Sequence, residues 1–193
     1  MSGDGFHVHG PHDHEVEHAA HGGDNFSGKI AVTTAILATV GALFGYLAGD
    51  TQNNAAMFKN NAAIKKTEAS NQWNYYQAKS NKQNLAELAI SLPGVDVEKY
   101  KASVARYQKE KEEIKHEADK LDAESLEWDK KSEEVMHQHH QWAVAMTAEQ
   151  IAISLAAITL LTRKTWLAYL AYGVATIGVI LGALAWLHIG IVH

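Results

Sequence analysis

The residues with most chemical potential lie at the start of the chain. Six of its 12 histidines are His7, His9, His12, His14, His18 and His21, with Asp13, Glu15 and Glu17 among them. Imidazole and carboxylate are ligands for zinc, nickel or copper, and histidine-rich tracts commonly hold such ions. His14 and His18 are four apart and would share a helix face. No fixed-geometry metal motif accompanies them, and a polar, glycine-containing tail is expected to be disordered. A second cluster, His137, His139 and His140, reads as an interfacial or pH-sensitive patch rather than a metal site. His188 and His193 stand alone near the end.

One acid stands apart. Glu149 is the only Asp, Glu, Lys or Arg in residues 142–162. An ionisable residue inside an apolar segment is a functional candidate, as a proton or ion site. It lies only seven residues beyond Trp142, so a packing or interfacial role, shared with Thr147 and Gln150, is the plainer expectation. There is no phosphate-binding glycine loop, no cysteine nucleophile and no recognisable Ser/His/Asp arrangement. The chain reads as a non-enzyme, with no cofactor beyond possible tail-bound Zn, Ni or Cu. The net charge of −5 and the lack of a basic patch argue against nucleic acid as a partner.

These groups must be positioned by an unevenly charged chain. Residues 30–48 and 166–193 contain no charged side chain, and nearly all charge sits in 50–141. Ile30–Leu47 is long enough, at roughly 27 Å of helix, to cross a bilayer core of about 30 Å. Residues 142–162 and 166–190 form two more spans, joined through Thr162-Arg163-Lys164-Thr165. Trp142, Trp166 and Trp186 fall where interfacial tryptophans are expected. Gly41, Gly45 and Gly49 in the first span, and Gly178 and Gly182 in the third, are spaced as small-xxx-small seams for close packing within or between subunits.

Between the first two spans, Leu92-Pro93-Gly94 is the only strong helix break. Asp96 can cap a new helix, giving arms at about 50–92 and 96–141. In the second arm Tyr100, Tyr107, Ile114, Leu121, Trp128, Val135 and Trp142 recur every seven residues, the period of a left-handed coiled coil. The positions between them are small or polar (Ala118, Ser125, Ser132 and His139 included), a weak second stripe. Pairing with the first arm is expected to use Phe58, Ala62, Ala69, Trp73, Tyr76, Leu85, Leu88 and Leu92. Trp73 and Tyr76 would share a face.

The fold class is therefore an all-α membrane protein: three transmembrane helices plus a long antiparallel helical, coiled-coil hairpin between helices one and two. The expected divisions are a disordered tail (1–28), helix one (29–49), a hairpin (50–141, tip 92–96), helix two (142–162) and helix three (166–190).

Trp73-Asn74-Tyr75-Tyr76-Gln77-Ala78, Ile151-Ala152-Ile153-Ser154-Leu155 and Leu161-Thr162-Arg163-Lys164-Thr165-Trp166-Leu167 carry a resemblance. Over about residues 30–187 the chain resembles an uncharacterised bacterial membrane family, domain of unknown function 4337. The resemblance implies a bacterial inner-membrane location and no activity. Arg163, Lys164 and Lys29 place the tail and the short turn in the cytoplasm by the positive-inside rule, with the hairpin periplasmic.

The expected function is a membrane-anchored structural or interaction scaffold that self-associates. The alternatives are a divalent-metal-handling accessory acting through the tail, with an unknown membrane partner, and an oligomeric ion conduit lined by Glu149.

Overall fold

The structure, a computed structural model, describes residues 25–187. Three helices hold nearly all of them: α1 (Asn25–Ile90), α2 (Val97–Thr162) and α3 (Thr165–Trp186). No strand occurs among the described residues. α1 and α2 each run 66 residues, and neither contains the proline that would remove a hydrogen bond and break the ladder. α1 begins four residues inside the segment expected to be a tail. Phe26 packs against a cluster of Ile30, Ala156, Ala168 and Ala171, which fixes this first turn.

The break falls where proline requires it. Ser91 and Leu92 N–H groups reach back to the carbonyls of Leu88 and Ala89, both at 3.1 Å, and close α1. Gly94 adopts φ 81°, open to glycine at little cost. Asp96 then caps α2, its Oδ1 accepting from the Lys99 N–H at 3.1 Å. The second connection is tighter. Arg163 takes φ 54° and its N–H bonds the Thr159 carbonyl at 2.8 Å, a left-handed helix end made without glycine.

All three helices are long and apolar enough, over one window each, to cross a membrane. Contacts divide the chain into two units. Among the described residues the span unit takes in 25–50 and 137–187, and the arm unit is Thr51–Met136.

Within the span unit the interior is made of small residues. α2 presents Trp142, Ala145, Glu149, Ala152, Ala156 and Thr159, all buried, at alternating steps of three and four. α3 answers with Ala168, Ala171, Ala175, Gly178, Gly182 and Ala185. The large apolar side chains point outward: Val32, Ile36, Leu43, Ile151, Ile158, Ile177, Val179 and Ile180 are exposed. That inversion suits a lipid surround, where small residues allow close backbone approach and no water drives large ones inside. Trp166 and Trp186 are exposed, but Trp142 is 3% exposed. Its ring packs on Phe44 at 5.5 Å and against Ala48 and Ala185.

Within the arm unit, segments of α1 and α2 lie alongside each other in opposite chain directions. Ser125 and Ser132 hydroxyls donate to the carbonyls of Ala62 and Ala55, at 2.9 and 2.8 Å. Ala55, Ala62 and Ala69 on α1 are buried, as is Ala118 on α2. Each series steps by seven. The stripe expected to be weak is the buried one, because small residues bring the backbones within reach of a serine hydroxyl. The aromatic heptad flanks it: Leu121 is buried, and Tyr100, Tyr107, Ile114, Trp128 and Val135 are half-buried. Phe58 and Trp128 rings meet at 5.6 Å. Trp73 and Tyr76 meet edge-on at 5.8 Å, and the Trp73 indole donates to Asp122 at 2.9 Å. Leu85, Leu88 and Leu92 do not join this core: they are 65%, 61% and 54% exposed. Ala86, one helical step away, takes the buried side instead.

Candidate functional site

Two features stand out from the packing, one in each unit. In the span unit it is Glu149. Its side chain is fully buried, and neither carboxylate oxygen has a hydrogen-bond partner. Thr147 and Gln150 give it no help: the Thr147 hydroxyl bonds the Ala143 carbonyl at 2.8 Å, and Gln150 is exposed. Of the packing or interfacial role expected for Glu149, the structure describes the packing: α2 turns it toward Gly41 on α1 and Gly178 on α3.

Two glycines make room for it. A Cβ added to Gly178 would lie 2.7 Å from Glu149 Oε1 and 3.2 Å from the Ala148 Cβ. A Cβ at Gly41 would lie 3.4 Å from the Glu149 Cβ. The other seam glycines also serve packing inside the chain. Gly182 faces the Phe44 ring, with a hypothetical Cβ 2.3 Å from its tip, and Gly45 faces the Met146 sulfur at 2.9 Å. Gly49 meets nothing within 4 Å. Four of the five glycines thus seat α1, α2 and α3 against one another. The pairing of Gly41 and Gly178 with Glu149 could not be found from spacing alone, since it depends on the register of three helices.

In the arm unit the feature is a surface. Met57, Asn60, Ile64, Thr67, Asn71, Asn74, Ala78, Asn81, Leu85 and Leu88 are all exposed. They recur at steps of three and four along α1, and none is charged. The first of them follows buried Ala55 by two positions, which puts the track about 200° around the helix from the buried stripe. The lysines of the same segment turn elsewhere. Lys59 pairs with Asp129, Lys65 with Glu124 at 3.2 Å, Lys66 with Asp122 at 2.7 Å and Lys79 with Glu110 at 2.6 Å. The Lys66 ammonium and the Trp73 indole hold the Asp122 carboxyl below its ordinary range. Lys79 does the same for Glu110, which in turn raises Lys79. Lys79 also lies over the Tyr75 and Tyr107 rings, at 5.1 and 5.7 Å.

The other candidates separate. His139 Nδ1 lies 2.8 Å from the Ala48 carbonyl, so that nitrogen is the donor and the ring is fixed in the span unit. The ring of its neighbour His140 lies beside it, centroids 5.5 Å apart and tilted by 53°. Among the described residues no three His, Cys, Asp or Glu side chains are grouped to hold a metal ion. His7, His9, His12, His14, His18 and His21, with His188 and His193, lie outside the described residues.

A family model described as "Domain of unknown function (DUF4337)" matches residues 26–188. No curated protein and no solved structure matches the chain.

Proposed function

Taking as premise that the chain belongs to the DUF4337 family, we propose that it is a membrane-anchored scaffold whose antiparallel coiled-coil arm binds the arm of a second copy. The protein is multi-pass in the bacterial inner membrane. Its Arg163-Lys164 turn lies on the cytoplasmic side, and its arm extends into the periplasm. The reading is carried by the uncharged, exposed track from Met57 to Leu88 on α1, in an arm whose α2 segment exposes mainly charged side chains.

A two-fold interface sets each patch against itself, so any charge in it would meet a like charge. The track has none. In this pairing the α1 arm segments of the two copies run in parallel. Met57, Ile64, Asn71, Ala78 and Leu85 then occupy successive core positions of one kind, seven apart. Apolar residues there drive association, and a single Asn fixes register and favours two strands at some cost in stability. Asn60, Asn74 and Asn81 occupy alternate positions of the track. Their amides both donate and accept, so each can bond its own copy across the axis.

The chain has no native cysteine, which makes the test simple. Asn71→Cys and Leu85→Cys, each a single thiol, are oxidised in native membranes. Each is expected to form a disulfide-linked dimer, while a thiol at Glu127, which bonds Lys131 on α2, remains unlinked. Equal cross-linking at all three sites, or none at any, would remove the proposal.

A further inference from the structure

Glu149 plays no part in an arm-mediated scaffold, and its place is costly. Every other position of its α2 stripe between Ala145 and Thr159 is alanine or threonine. An ionised carboxylate held away from water without a partner costs many kcal/mol, and in practice such a group takes up a proton. Even the neutral acid forgoes hydrogen bonds it would make in water. The surroundings nonetheless accommodate it from two sides, through Gly41 on α1 and Gly178 on α3.

Among the described residues no charged or titratable side chain faces it. The adjoining layer on one side is Leu37, Ala152 and Ala175. On the other, Gly45 meets Met146 and Gly182 meets Phe44. The nearest titratable residues along α1 are Lys29, Tyr46 and Asp50, and along α3 Tyr169 and Tyr172. Tyr46, Tyr169 and Tyr172 are exposed on the outer face. Lys29 and Asp50 lie twelve and nine residues from Gly41, about 18 and 14 Å along the helix. His139, ten residues before Glu149 on α2, is committed to the Ala48 carbonyl. Among the described residues no group of His, Asp or Glu gathers around this carboxylate to complete the shell of a calcium or magnesium ion, which takes six or more ligands. A proton needs only the one carboxylate.

We propose that Glu149 is an intramembrane proton-binding site that holds the three spans closed while protonated and parts them when the proton leaves. Release turns the carboxylic acid into a carboxylate. The anion is then unpaired between Gly41 and Gly178, and the cheapest relief is entry of water between α2 and its neighbours. Proton uptake reverses the step with no other reactant.

The test is infrared spectroscopy of the full-length protein in lipid nanodiscs across pH, with hydrogen exchange of residues 137–187 measured in parallel. At neutral pH the wild type is expected to show the carbonyl stretch of a protonated carboxyl that Glu149→Gln lacks. On raising the pH that band should give way to carboxylate as exchange in the spans accelerates. In Glu149→Gln, a neutral side chain of the same shape, exchange should stay slow throughout. If Glu149→Gln does not fold, the wild-type titration decides alone. The proposal is overturned if the protonated band is missing at neutral pH. It is also overturned if carboxylate forms with no change in span exchange, or if Glu149→Gln shows the same pH-dependent acceleration.

Discussion

The span unit and the arm unit use the same device to opposite effect on their outer faces. In both, small residues at helical spacing form the buried stripe: Ala145, Ala152 and Ala156 in one, Ala55, Ala62 and Ala69 in the other. In both, a polar side chain bonds an alanine carbonyl across to α1, from His139 in the spans and from Ser125 and Ser132 in the arm. The large side chains are therefore free to answer the solvent. In the span unit they are mainly aliphatic, and in the arm many are lysine or acid. The difference shows that burial of large apolar groups is not what pairs these helices. Close approach is, and each unit has one departure from its own pattern: Glu149 inside the spans and the uncharged track outside the arm.

If close approach pairs the arm helices, overfilling that stripe should have the largest effect. Ala55→Leu with Ala69→Leu puts two large side chains where there is no room, at about 1–3 kcal/mol each. Hydrogen exchange should accelerate across residues 51–136 and stay unchanged in 142–187. Uniform acceleration in both would show that the two units are not separately packed.

The glycines sharpen the same comparison within the spans. Gly182→Ala drives a methyl into the Phe44 ring and should cost about 1–3 kcal/mol. Gly49→Ala, with open space around it, should instead stabilise by about 0.5–1 kcal/mol through helix propensity. Thermal melts in one detergent read both. The cross-helix hydroxyl bond is worth less. Ser125→Ala leaves the Ala62 carbonyl its own helical partner and should cost about 0.5–1.5 kcal/mol by urea unfolding.

The smallest effect is electrostatic, because the arm's ion pairs are exposed to solvent and screened by salt. Asp122 and Glu110 are held below their ordinary range by Lys66 and Lys79. Their contribution is complete above the unfolded carboxylate range of about 4 and is lost as pH falls through the lower folded values. Lys79 is raised, so its share is complete below about 10.4 and is lost only as pH climbs through the higher folded value. Arm protection should therefore be flat through neutral pH and fall in acid, with the fall smaller in high salt. The spans' exchange should not follow the acid limb.

Much of this was legible from residue order. Pro93 and Gly94 marked the turn, Asp96 marked the cap, and charge-free stretches marked the three apolar segments. What failed did so for one reason. The large apolar period from Tyr100 to Val135 outweighs the weak stripe of Ala118, Ser125 and Ser132 in the sequence, yet the smallness of that stripe is what lets it be buried. The same weighting assigned Leu85, Leu88 and Leu92 to the core, although Ala86 beside them is the buried residue. The charge boundary at Trp142 does not reveal its packing, in which its ring fills a space between Ala48 and Ala185. Glu149 was singled out by its charge alone. Its burial depended on which way α2 faced, which the contacts with Gly41 and Gly178 decide.

The most direct test of the arm-mediated scaffold is native mass spectrometry of the full chain in lipid nanodiscs, beside a variant carrying Ile64→Asp and Leu85→Asp. Both changes lie on the exposed track, far from the Ala55–Ala69 stripe, and should leave each copy folded. The wild type should appear as a dimer and the variant as a monomer. A wild-type monomer, or a variant that remains dimeric, would contradict the account.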